Sequence, residues 1–137
     1  MGDDCIFCRI VRGEAQAHRI HEDEQTVTLM DAFPASEGHV LVITKAHHEN
    51  IHEIPAETLA AVAAMSKRVA AAIQRELSPD GLGIYQLNGS AAGQTVNHYH
   101  MHVIPRTEGQ RRTVHGRTSA DDDRQAELAA RLAAALE

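Results

Sequence analysis

An α+β fold with an antiparallel sheet is predicted by three features of the chain. Short apolar or β-branched runs recur at residues 25–31, 39–44 and 82–88; one long segment, 55–77, has helical periodicity; and the connections between them are short. At 137 residues the chain reads as a single domain, 1–137. Each element has its own local reason. Ala17 to Glu22 reads as a short extended stretch, and Gln25 to Asp31 (Q-T-V-T-L-M-D) alternates loosely with β-branched residues, as a strand does. Pro34, Ser36 and Gly38 mark a turn, after which His39 to Thr44 is apolar enough to be a strand buried on both faces. Pro55 suits a first helical position, and Leu59, Val62, Met65, Val69, Ile73 and Leu77 recur at three- and four-residue steps. Ser78-Pro79-Asp80-Gly81 ends that helix, and Leu82 to Asn88 returns to a strand. Residues 107–118 are polar and locally basic and read as a mobile surface loop. Ser119 is then placed to cap a C-terminal helix, 119–136, with acidic Asp121 to Asp123 in its first turn and an apolar stripe of Leu128, Leu132 and Leu136.

Composition narrows the function. Aromatics are scarce, so the core should be aliphatic, and the formal net charge of -6 argues against a general nucleic-acid binder. The opening Met1-Gly2-Asp3-Asp4 is acidic and leads into no apolar run, unlike a signal peptide. No segment approaches the roughly 20 apolar residues of a membrane span. A cytoplasmic protein without membrane association is expected. Cys5 and Cys8 form a C-x-x-C, and without an export signal metal binding or redox chemistry is favoured over a disulfide framework.

The densest chemistry lies in N-H-Y-H-M-H-V-I-P-R, residues 97–106. On a strand, His98, His100 and His102 share one face while Tyr99, Met101 and Val103 take the other. Imidazoles spaced roughly 6.6–7 Å apart at their origins can chelate a metal, or can form a row in which one ring attacks and its neighbours hold charge. Three polar rings on an otherwise apolar strand carry a desolvation cost that chance clustering would not sustain. Just upstream, Asn88, Gly89, Ser90, Gly93, Gln94 and Thr95 form a loop of small residues and donors able to cradle a phosphate.

Taken together, N-G-S-A-A-G-Q-T-V-N-H-Y-H-M-H-V-I-P-R resembles the signature of the histidine-triad (HIT) superfamily. C-I-F-C-R-I-V-R-G-E and M-D-A-F-P-A-S-E-G-H-V-L-V-I-T-K-A-H resemble the N-terminal half of its bacterial Hint-like branch, so the similarity covers residues 5–106. The resemblance implies a HIT-like fold, a five-stranded antiparallel sheet with one long helix and a C-terminal helix, dimerising into a continuous sheet. It implies a nucleotide hydrolase or transferase that cleaves purine nucleotide conjugates (AMP or GMP phosphoramidates, or dinucleoside polyphosphates) at the α-phosphorus. By similarity His100 is the nucleophile, and a histidine is roughly three-quarters neutral at pH 7. His102 and His39 match positions near the phosphate; Asn88, Gly93, Gln94 and Thr95 match phosphate or leaving-group contacts. Asp31 matches the ribose-binding carboxylate, and Ile10, Leu29 and Ala32 the base pocket. The resemblance further implies a structural zinc on Cys5, Cys8, His47 and His98, with His48 the substitute if the register slips, and no organic cofactor. His18, His21, His52 and His115 read as surface residues. Thr44 stands where many members have Pro, and the absence of tryptophan leaves the preferred leaving group open. A nucleotide-binding regulatory module with incidental turnover is the alternative.

Overall fold

A computed structural model describes residues 4–136; the acidic opening Met1 to Asp3 and Glu137, the ends of the expected domain, lie outside the described residues. The chain runs α1 (Ile6–Val11), β1 (Arg19–Glu22), β2 (Thr26–Met30), β3 (Val40–Thr44), α2 (Ala56–Leu77), β4 (Gly81–Tyr85), β5 (His100–Arg106) and α3 (Asp122–Leu136). The five strands form one sheet in the order β1-β2-β3-β5-β4, antiparallel at every pairing. The predicted α+β class, five-stranded sheet and two main helices are therefore present.

Both faces of the central strands are covered, which explains why β3 reads as a continuous apolar run. Alternation sends Val40, Val42, Tyr99 and Val103 toward α2 and α3, where they meet Met65, Val69, Ile73, Leu128 and Leu132. Leu41, Ile43, Val27 and Leu29 point the other way and pack on Phe7 and Ile10 of α1. The first set is the main core. The second is thinner and floors a cavity.

Several boundaries differ from the sequence reading. Helix α1 had no periodic signal; its six residues are started by Cys5, whose Sγ accepts from the Cys8 N–H at 3.4 Å. Pro55 sits at the cap rather than inside α2, with ψ 148°, and its carbonyl accepts the Leu59 N–H. Strand β4 ends at Tyr85 because Gln86 and Asn88 pair through their side-chain amides while the Asn88 Oδ1 accepts from the Ile51 N–H, drawing the chain off the sheet. Strand β5 begins at His100 and runs through Pro105 to Arg106, so His98 precedes it. Ser119 does not cap α3. Asp121 does, its carboxylate accepting the Arg124 N–H at 2.9 Å. No helix among the described residues is long and apolar enough to cross a membrane.

Candidate active site

His100 and His102 project from the α1 face of β5, opposite Ile43 and Leu41 of β3. Their proton positions follow from their partners. The His100 Nδ1 lies 2.6 Å from the His98 carbonyl oxygen. A carbonyl only accepts, so Nδ1 carries the proton and the Nε2 lone pair is bare. Phe7 meets this ring edge-on at 5.1 Å between centroids, and burial pushes its pKa down.

His102 carries the opposite tautomer, set by a chain that starts on the backbone. The Ala35 N–H donates to the His39 Nδ1 at 2.9 Å, so neutral His39 holds its proton on Nε2. That Nε2 is 2.9 Å from the His102 Nδ1 and 3.3 Å from Asp31 Oδ2. With Nδ1 of His102 accepting, its proton sits on Nε2, a buried atom with no hydrogen-bond partner among the described residues. A bare nitrogen on His100 thus stands beside an unused N–H on His102, their rings 4.9 Å apart.

Burial holds the pKa of His39 at about 3, and burial with the adjoining His100 and His39 holds that of His102 at about 2. Both values lie below the ordinary 6.5 or so, so the unfolded chain binds the extra protons first. Their stabilising effect is complete above about pH 6.5 and is lost as pH falls toward 3. Between pH 7 and pH 5 each ring should remove on the order of 2 kcal/mol of stability. Chemical denaturation midpoints at the two pH values check this, and a His39→Gln variant should show a shallower decline.

These histidines open on a cavity of about 640 Å³. Ile10, Leu29 and Ala32 line it as the sequence resemblance implies, joined by Ile6, Phe7 and Phe33. Asp31 lines it too. Its Oδ1 accepts from the Phe33 N–H, and burial raises its pKa. Thr95 reaches the cavity, whereas Asn88, Gly93 and Gln94 do not line it. The Gln94 amide is spent on the loop itself: Oε1 accepts from the Gly89 N–H, and Nε2 donates to the Glu49 and Val96 carbonyls. Its side chain, like that of Asn88, braces the surrounding backbone. His39 is fully buried behind His102 rather than on the cavity wall.

A second cluster brings together Cys5, Cys8, His47 and His98, whose ligand atoms all lie within 4.8 Å of one another. The His98 Nε2 donates to the Thr44 carbonyl at 2.7 Å, leaving Nδ1 bare. That Nδ1 faces Cys5 Sγ at 3.3 Å, Cys8 Sγ at 3.5 Å and the His47 Nδ1 at 3.2 Å. A tetrahedral zinc with bonds of about 2.0–2.3 Å needs ligand atoms roughly 3.3–3.8 Å apart. Donor set and spacing fit zinc, and His47, not His48, completes the cluster. Burial and the neighbouring Cys5 push the Cys8 thiol up to about 11, and burial takes His98 down to about 4. Asp31, His39 and His102 also converge, but their ring nitrogens are joined by the hydrogen bond described above.

Two histidines assigned to the surface also belong to the cavity. His18 is half-buried in its wall and bonded to Asp122 at 2.7 Å. His115 is exposed yet lines the cavity, its ring 5.6 Å from that of His102. It is brought there by the segment expected to be a mobile loop, which is tied across the site by two hydrogen bonds, His115 Nε2 to the Gly93 carbonyl and Gly116 N–H to the Phe33 carbonyl, with Ala120 N–H to the Ala32 carbonyl just beyond it. No periodicity marks such a segment; its contacts exist only once the chain has closed.

The HIT domain model matches residues 12–109. Among solved structures, a zinc-bound histidine triad family protein from Mycobacterium smegmatis is 41% identical, with a TM-score of 0.86 covering 99% of this chain and 95% of that one. A hypothetical histidine triad nucleotide-binding protein from Sulfolobus tokodaii is 32% identical, with a TM-score of 0.88 covering 96% and 91%. The adenylylsulfatase HINT3 of Arabidopsis thaliana is 37% identical over 106 residues, 77% of this chain and 54% of that protein.

Proposed function

From the premise that the chain belongs to the HIT domain family, we propose that it cleaves purine nucleotide conjugates at the α-phosphorus through a covalent nucleotidyl-histidine. The observation that carries this reading is the pairing of proton states: a bare Nε2 on His100 beside an unpartnered Nε2–H on His102. In support, a relative is named for adenylylsulfate cleavage and another for nucleotide binding. Phosphoramidates and dinucleoside polyphosphates are the substrate classes.

The His100 Nε2 lone pair attacks phosphorus; the bond to the leaving group breaks, and the leaving group departs with the electron pair and takes up a proton. The His98 carbonyl accepts a hydrogen bond from Nδ1–H and so stabilises the imidazolium character that develops on His100. His102 donates its free N–H to a non-bridging oxygen, with His39 fixing the donor tautomer. Water then attacks phosphorus, the P–N bond breaks, and its electron pair returns to Nε2 as the mononucleotide and a proton leave. Asp31 accepts from the ribose hydroxyls, Thr95 contacts phosphate, and Ile10, Leu29 and Ala32 hold the base against apolar surface.

Cys5, Cys8, His47 and His98 hold a structural zinc in this reading, its chemistry being four closed bonds that leave no place for a reactive water. The β4 edge, with exposed Ile84, is proposed to pair with a second copy into a continuous sheet; a sedimentation mass of one chain would count against this. Single-turnover assays on adenosine phosphoramidates, diadenosine polyphosphates and sugar nucleotides test the activity. Release of mononucleotide from at least one supports it, and tight mononucleotide binding without turnover of any would favour a nucleotide-binding module instead.

A further inference from the structure

We propose that His115 is a leaving-group contact that favours conjugates whose leaving group is anionic, such as a nucleoside polyphosphate, over those releasing an uncharged amine. This deepens the reading above and rests on it.

The segment 107–118 carries Arg111, Arg112 and Arg117 against the single acidic Glu108, in a chain whose formal net charge is -6. The three arginines stay exposed, and the part of the segment that reaches the cavity is His115 and Gly116; Gly116 makes that crossing possible. A Cβ there would collide with the Pro34 and Phe33 carbonyls, so only glycine lets the segment lie this close to the wall. The residue before it, His115, is thereby pressed toward His102.

Four histidines line the cavity: His18, His100, His102 and His115. His18 is committed to Asp122. Burial keeps His100 and His102 neutral. His115 alone of the four is solvent-exposed. Its Nε2–H is held by the Gly93 carbonyl at 2.8 Å, which aligns the ring and leaves Nδ1 without a hydrogen-bond partner among the described residues. An anionic oxygen arriving there meets a ring nitrogen that no protein group uses, and a hydrogen bond from that ring to it is charge-assisted. The position suits a leaving group, because His102 is flanked by His100 at 4.9 Å and by His115 at 5.6 Å. A phosphorus held between His100 and His102 has His115 beside it on the same cavity wall.

The test compares kcat/KM for a diadenosine polyphosphate and for an adenosine phosphoramidate of a neutral amine, in wild type, His115→Gln and His115→Arg. In His115→Gln the polyphosphate-to-phosphoramidate ratio should fall by roughly tenfold or more, the scale of one charge-assisted hydrogen bond. His115→Arg should restore much of it. Equal losses on both substrates would make His115 only a clamp on the Gly93 loop and overturn the proposal, as would an unchanged ratio. A wild type that turns over neither substrate, while still binding AMP, would remove the catalytic reading itself and this inference with it.

Discussion

His100→Ala should lower single-turnover release from an adenosine phosphoramidate by about four orders of magnitude or more, the scale seen when a covalent nucleophile is deleted. The loss falls on chemistry rather than on binding. Ile10, Leu29, Ala32 and Asp31 line the cavity from other elements and are untouched by the change. The affinity for AMP should therefore move little, which titration calorimetry reads directly. A small loss of stability accompanies the vacated contact with Phe7. His102→Ala should be milder, since it removes one donor to the phosphate and leaves the nucleophile in place.

The second large effect is expected from the zinc proposed on Cys5, Cys8, His47 and His98. Removing zinc with a strong chelator, or replacing Cys8 by Ser, should lower the melting temperature by roughly 10–20 °C. A ligand a thousandfold above its dissociation constant contributes about 4 kcal/mol, and a chain of this length loses roughly 3–5 °C per kcal/mol. The effect reaches the site because Phe7 lies between the two cysteines on α1 and packs on both His98 and His100. Since Cys8 is a thiol until metal displaces its proton, loading should release protons and weaken in acid. Scanning calorimetry of metal-loaded and stripped protein checks the first point. No change in melting temperature would mean that the four ligands are held without metal.

How much of this was legible in the sequence depended on how local each cause is. The alternation at His98, His100 and His102 is local, because a strand repeats every two residues, and it separated the imidazoles from Tyr99, Met101 and Val103 correctly. Helix α2 was equally plain, its apolar spacing running from Leu59 to Leu77. Helix α1 was not legible: six residues are too few for a period, and it is fixed by the Cys5 thiol and by Phe7 packing under the sheet. The tautomers of His100 and His102 were also out of reach, since they depend on the His98 carbonyl and on a hydrogen bond from Ala35 relayed through His39. Asn88 and Gln94 showed the limit of reading donors from a motif. Both are rich in hydrogen-bonding atoms, yet those atoms are consumed by Ile51, Gln86, Gly89, Glu49 and Val96. His115 is exposed, as read, but its place at the cavity was not legible. Its polar, aperiodic surroundings look like any surface loop until Gly116 brings it against the wall of the site.

The central claim is that His100 becomes covalently nucleotidylated. The most direct measurement is the intact mass of protein quenched within milliseconds of mixing with an adenosine phosphoramidate. One added adenylyl group per chain, mapped to the peptide containing His100 and absent from His100→Ala, is the predicted result. Turnover without any adduct, or an adduct that persists in His100→Ala, would contradict it.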